Sequence, residues 1–166
     1  CEWGNNKPWI WGADVGHLWR TTGDVTDCYD CQDVYSLGWK HILDFQVDLE
    51  KYAGPDHWND PDMLEVGNAG LSLVESRSHF SLWCILAAPL MAGNDVRKMP
   101  QEIREILTNK EVIAIDQDPL GKQGYRFMQH PGKEIWAKEL SDGAWAVCFF
   151  NSGDKALTIR VNWAHL

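Results

Sequence analysis

The pattern of predicted elements changes near Gly121, and this change constrains the fold more than any other feature. Helical and extended segments alternate before it, whereas every later segment is extended and bounded by turn residues. Charge changes at the same point: residues 1–121 carry 20 acidic and 9 basic side chains, and residues 122–166 carry 4 and 6. We therefore predict two domains, residues 1–121 and residues 122–166.

The first domain is predicted to be α/β, because alternating strands and helices are typical of a parallel sheet covered by helices. Three such repeats make at most half of a (β/α)₈ barrel. The spacing of apolar residues predicts helices over residues 35–52, 71–88 and 100–109, with short extended segments at 18–22, 56–60 and 89–94.

The second domain is predicted to be an antiparallel β-meander or the start of a β-sandwich. Its candidate strands are residues 125–129, 134–140, 144–150 and 157–163. Turn signals separate these strands, such as Pro131-Gly132 and Ser141-Asp142-Gly143.

Composition excludes several classes of protein. A hydrophobic content of 45% is too high for a disordered chain, and a net charge of −9 argues against a nucleic-acid partner. The longest apolar run, Leu82 to Ala92, has eleven residues, about half of what a transmembrane helix needs, so we predict no membrane span. Cys28 and Cys31 form a C-x-x-C pair, which is typical of half a zinc site or of a redox pair. The further ligands of a zinc site are missing, and we expect two unpaired, half-buried side chains.

Carboxylates follow the predicted strands at Asp24, Asp60 and Asp62. The carboxyl ends of barrel strands form the active face of (β/α)₈ enzymes. Any one of these residues is more often a turn or N-cap residue, but seven of the ten tryptophans lie within the first 83 residues. Aromatic rings beside carboxylates suit a carbohydrate site, where cleavage of a glycosidic bond requires two carboxyl groups.

Five sequence segments, in order along the chain, are more specific than composition. They are C-E-W-G from Cys1, W-R-T-T-G-D ending at Asp24, W-N-D-P-D-M-L from Trp58, A-A-P-L followed by N-D-V-R ending at Arg97, and V-I-A-I-D-Q-D-P-L-G ending at Gly121. Together they resemble the α-galactosidase (melibiase) family, glycoside hydrolase family 27. The resemblance implies the C-terminal half of a catalytic (β/α)₈ barrel, followed by the start of a C-terminal antiparallel β-sandwich.

The resemblance also implies a retaining exo-glycosidase that removes terminal α-linked galactose without a metal or cofactor. Asp24 takes the place of the general acid/base. Substrate-binding roles fall on Cys1, Glu2, Trp3, Arg20, Asp62 and Met63. The C-E-W segment approaches the sugar's 2-position, where Trp3 is favoured over Glu2 because the next residues follow the plant-like pattern; Cys1 is expected to be a free thiol.

The family's nucleophile, an aspartate in a K-x-D motif, has no counterpart in the 166 residues. We expect it to lie before Cys1, in a missing first half of the barrel, so this fragment alone should be inactive. The alternatives are α-N-acetylgalactosaminidase, β-L-arabinopyranosidase or a non-catalytic sugar-binding module. Family members are secreted, periplasmic or lysosomal, which leaves the compartment of this chain open.

Overall fold

A computed structural model describes residues 4–165. Its helices are α1 (Pro8–Trp11), α2 (Trp39–Phe45), α3 (Leu73–Ile85), α4 (Gln101–Leu107) and α5 (Lys110–Asp116). Its strands are β1 (Leu18–Arg20), β2 (Asp24–Thr26), β3 (Ser36–Gly38), β4 (Trp58–Asp60), β5 (Tyr125–His130), β6 (Lys133–Glu139) and β7 (Trp145–Asn151). Short 3₁₀ turns cover Gly12–Asp14, Glu50–Tyr52, Val96–Lys98 and Trp163–His165.

The strands form two parallel pairs and one antiparallel sheet. β1 pairs with β4 and β2 pairs with β3, whereas β5, β6 and β7 form a meander in that order. The register of β1 and β4 places Arg20 beside Asp60, at the carboxyl ends of both strands. An α/β region followed by an antiparallel sheet is the predicted fold class, and it is confirmed.

Helix α3 lies at the centre of the core and begins with a capping box. The Ser72 hydroxyl accepts from the backbone N–H of Glu75, and the Glu75 carboxylate accepts from the N–H of Ser72. Most of the second half of the helix is buried, including Phe80 and Trp83. Its buried residues join one hydrophobic cluster with Phe150 of β7, so both parts of the chain share a core.

The helix predicted over residues 35–52 is wrong at both ends. Ser36–Gly38 is a strand, and the helix covers only Trp39–Phe45. Gly38 lies against the backbone of residues 29–31, where a Cβ would be 2.7 Å from the Tyr29 carbonyl oxygen. At the other end, Asp48 has a φ of 67°, which is incompatible with continuing the helix.

Further elements differ from the prediction. Helix α5 was not predicted; the Asn109 side chain caps it by accepting from the N–H groups of Glu111 and Val112. The predicted strand over residues 157–163 is absent from the described part of the chain. Its apolar alternation is not sufficient to form a strand, because no neighbouring strand supplies hydrogen bonds there.

The cysteines differ in pairing, and the tryptophans differ in burial. Cys28 and Cys31 form a disulfide, so the expectation of unpaired side chains is wrong; their spacing allows the two residues to approach across one tight loop. Cys84 is a buried core residue, and Cys1 lies outside the described residues. Trp39, Trp83 and Trp136 are buried, whereas Trp145 on edge strand β7 is 37% exposed.

Candidate active site

Arg20 is the last residue of β1, and its side chain turns back over the loop that follows. Its Nη2 donates to the Gly23 carbonyl at 2.7 Å and lies 3.1 Å from Asp24 Oδ1. The Asp24 side chain is 50% exposed. The arginine therefore orients one carboxylate at the end of the strand while leaving it accessible to a ligand.

Asp62 is held more firmly by the same arginine. Its Oδ2 lies 2.8 Å from Arg20 Nη2 and accepts from the backbone N–H of Val25 at 2.9 Å. Its Oδ1 accepts from the N–H of Met63 at 2.8 Å, and the side chain is only 16% exposed. Asp24 and Asp62 thus share one guanidinium but differ in burial and in the number of hydrogen bonds they accept.

Asp60 completes a group that we call the strand-end cluster: Arg20, Asp24, Asp60 and Asp62. Asp60 Oδ1 accepts from the Asp62 backbone N–H at 2.8 Å. Burial raises the pKa of the Asp60 carboxyl, although that hydrogen bond and the charge of Arg20 act in the opposite direction. Carboxylate oxygens are hydrogen-bond acceptors, so the cluster suits a ligand rich in hydroxyl groups.

The structure brings together four of the predicted site residues: Arg20, Asp24, Asp62 and the partly exposed Met63. Cys1, Glu2 and Trp3 lie outside the described residues. Gly4 packs on the end of β1, where a Cβ would lie 2.1 Å from the Thr21 carbonyl oxygen. The chain directly after C-E-W therefore passes the strand that carries Arg20.

Two tryptophans support the strand-end cluster through hydrogen bonds of their indole N–H groups. Sequence reasoning did not identify either of them as part of the site. The Trp83 indole N–H donates to the Asp62 backbone carbonyl at 2.9 Å. The Trp19 indole N–H donates to the Asn59 side chain at 2.7 Å, which links β1 to β4. In the sequence both are apolar residues, and no local signal tells which acceptor an indole N–H will meet.

The disulfide lies in the loop between β2, which begins at Asp24, and β3. Three carbonyl groups of this loop accept from backbone N–H groups at the start of α2. The pairs are Gly38 to Cys31 at 2.7 Å, Trp39 to Cys28 at 3.0 Å and Lys40 to Tyr29 at 3.0 Å. The loop after Asp24 is therefore fixed to the N-terminus of α2.

Residues 4–165 contain neither a metal-binding group of side chains nor a membrane-spanning helix. No group of three or more His, Cys, Asp or Glu side chains is arranged to hold a metal ion. No helix in this range is both long enough and apolar enough to cross a membrane.

Two family models match different parts of the chain. Residues 6–118 match the family model described as alpha galactosidase A. Residues 131–166 match the model described as the alpha galactosidase C-terminal beta sandwich domain. The chain belongs to the α-galactosidase A family. The resemblance stated from its sequence motifs is confirmed.

Individual relatives agree with this assignment. The chain is 51% identical to alpha-galactosidase A of Cellvibrio japonicus, over 99% of this chain and 41% of the relative. Alpha-galactosidase I from Mortierella vinacea superposes with a TM-score of 0.94 at 31% identity, over 99% of this chain and 45% of that one. A Saccharomyces cerevisiae α-galactosidase solved with raffinose gives 0.87 at 28% identity, over 92% and 39%. The chain spans about 40% of the length of the curated relatives it matches, and it has part of their fold.

Proposed function

We propose that this chain carries the general acid/base and part of the sugar site of a retaining exo-glycosidase that releases terminal α-linked galactose. The observation that supports this most is the shared guanidinium of Arg20, which contacts a half-exposed carboxylate, Asp24, and a mostly buried one, Asp62. Membership of the α-galactosidase A family and the raffinose complex of the yeast relative point to the same substrate class.

The buried side of the cluster would bind the sugar. Asp62 is fixed by Arg20, Val25 and Met63, so its oxygens can accept from ring hydroxyls with little loss of side-chain entropy. Arg20 can donate to the same hydroxyls, and Met63 offers an apolar surface beside them. Cys1, Glu2 and Trp3 would lie near the 2-position, which agrees with the contact of Gly4 with Thr21.

Asp24 suits proton transfer because its carboxyl is exposed on one side and oriented by Arg20 on the other. A nucleophilic carboxylate attacks the anomeric carbon while Asp24 protonates the leaving oxygen, and a β-linked galactosyl-enzyme forms. Asp24 then takes a proton from water, which attacks the same carbon and releases α-galactose. The nucleophile would come from residues outside these 166, as would the first half of the barrel, of which residues 1–121 would form the second half.

The test uses the complete protein, meaning this chain with any residues its gene encodes on either side. We expect it to hydrolyse nitrophenyl α-galactoside faster than the matching α-N-acetylgalactosaminide or β-L-arabinopyranoside. NMR of the first product should show α-galactose. A preference for either other glycoside would reassign the specificity, and galactose binding without turnover would indicate a sugar-binding module.

The 166-residue chain by itself should give no turnover of the same substrate above a buffer control. Retaining hydrolysis needs two carboxyl groups about 5 Å apart, and the chain provides one of them. Hydrolysis by the pure chain would place the nucleophile within it and would contradict the assignment of roles.

A further inference from the structure

Asp62 has an unusual backbone conformation for the residue that would bind the sugar. Its φ is 84°, a region that residues with a side chain rarely adopt. Its N–H donates to Asp60 Oδ1 at 2.8 Å, and its carbonyl accepts from the Trp83 indole N–H at 2.9 Å. Side chains from two other positions therefore hold both polar groups of this backbone.

Trp83 is well suited to hold a fixed position. It is fully buried in α3, edge-on to His79 at 4.1 Å and to Trp39 at 6.5 Å between ring centroids. Burial lowers the pKa of His79 to about 3, so this neighbour is uncharged at neutral pH. Trp39 in turn packs against Phe150 of the antiparallel sheet at 5.9 Å. The Trp83 indole is thus held in place by packed aromatic rings.

We propose that Trp83 is a positioning residue for sugar binding, acting through its indole N–H on the Asp62 peptide group. This inference rests on the proposed function, in which Asp62 accepts from galactose hydroxyls. Without the indole donor, the partly buried Asp62 carbonyl lacks its partner and the Asp62–Met63 peptide is freer to rotate. The carboxylate would then lose the alignment that its contacts with Arg20 and Val25 require.

Trp39 offers a matched control. It is fully buried in the same aromatic cluster, and its indole N–H has no hydrogen-bond partner among residues 4–165. Trp39→Phe and Trp83→Phe remove the same atoms from neighbouring rings. They differ in that the second change removes a donor to Asp62.

The experiment measures kcat and KM on nitrophenyl α-galactoside, and the Kd of galactose, for the complete protein and both variants. Trp83→Phe should raise KM and the galactose Kd about tenfold, the scale of one lost hydrogen bond, while kcat stays within about threefold. Trp39→Phe should leave KM and Kd within about twofold. Equal changes in both variants would show that ring packing matters rather than the N–H, and would overturn the inference.

Hydrogen exchange separates this inference from the proposed function, because it needs no substrate. The amide hydrogens of the peptide covering residues 58–66 should exchange faster than in the wild type in Trp83→Phe. In Trp39→Phe they should exchange at the wild-type rate. If Trp83→Phe does not fold, 3-benzothienylalanine at position 83 keeps the bicyclic shape and lacks the N–H. Unchanged exchange and an unchanged galactose Kd would overturn the role of Trp83; an inactive wild-type protein would overturn only the proposed function.

Discussion

Two regions of the molecule combine basic side chains with carboxylates, and they do so differently. The strand-end cluster has Arg20 against three carboxylates. The second region, which we call the α2–β6 cluster, contains two cations and two carboxylates: Lys40, Asp44, Arg126 and Glu134.

The α2–β6 cluster is balanced in charge. Lys40 Nζ lies 2.6 Å from Asp44 Oδ2 and 3.1 Å from Glu134 Oε1. Arg126 Nη1 lies 2.5 Å from Asp44 Oδ1 and 3.7 Å from Glu134 Oε2. Each carboxylate thus meets both cations, and the arrangement ties α2 to the antiparallel sheet.

The strand-end cluster keeps an excess of negative charge within the described residues. Arg20 cannot neutralise all three carboxylates, and Asp24 stays half exposed. Unused acceptor atoms are costly for stability but useful for binding hydroxyls and moving protons. Charge balance therefore distinguishes the α2–β6 cluster from the proposed functional site, although both contain the same types of residue.

The largest expected effect comes from Asp24→Asn in the complete protein, which tests the functional side of this comparison. General acid–base help is worth about 10²–10⁴ in rate, so raffinose turnover should fall by that factor. Galactosyl fluoride should lose less in the first step, because its leaving group needs no proton. Added azide should restore turnover of galactosyl fluoride and give α-galactosyl azide, detected by NMR.

The outcome against this assignment is an equal loss on every substrate with no azide rescue. Asp24 would then only position the sugar or its loop. Asp60, whose carboxyl pKa is raised by burial, would be the next acid/base candidate to test.

The next largest expected effect is a loss of stability on changing the α2–β6 cluster. Glu134→Gln removes a buried carboxylate that faces Lys40 and Arg126, and breaking a buried ion pair costs about 3–5 kcal/mol of unfolding free energy. Urea unfolding should show this loss, while kcat of the folded enzyme stays unchanged. Glu139→Gln on the same strand breaks the exposed pair with Lys122 and should cost at most about 1 kcal/mol.

If Glu134→Gln is fully folded but has a lower kcat, the α2–β6 cluster is part of the catalytic apparatus. That result would contradict the division between the two clusters. A loss no larger than that of Glu139→Gln would show that the cluster contributes little to stability.

A smaller effect extends the comparison to Asp116, a buried carboxylate in neither cluster. Its Oδ1 has no hydrogen-bond partner within residues 4–165, and Lys138 Nζ contacts its backbone carbonyl instead. Burial raises the pKa of Asp116 to about 6. Since the folded protein then holds this proton more tightly than the unfolded chain, the contribution of Asp116 to stability is most favourable below about pH 4 and is lost as the pH rises through 6.

Asp116→Asn removes this ionisation and should therefore stabilise the protein by up to about 3 kcal/mol at pH 8, with no gain at pH 3.5. Urea unfolding of both proteins at the two pH values measures the difference. A gain of equal size at both pH values would mean that packing, and not the charge of Asp116, is responsible.

Local signals allowed much of the fold to be predicted. The apolar spacing of α3 and α4 and the turn residues between β5, β6 and β7 act within a few residues, so these elements lie close to where they were expected. Prediction failed where a distant contact decides, as at Gly38, which the backbone of residues 29–31 holds in an extended conformation.

The sequence by itself determined which side chains could carry the chemistry. Asp24 and Asp62 stand in specific motifs a few residues after β1 and β4, and the carboxyl ends of these parallel strands meet at one edge. Only the tertiary structure decided that both carboxylates share Arg20, that the Trp83 indole meets the Asp62 carbonyl, and that Glu134 is balanced by two cations. Hydrogen bonds and ion pairs act over a few ångströms, and most of these partners are far apart in the chain, so no local pattern encodes their distances.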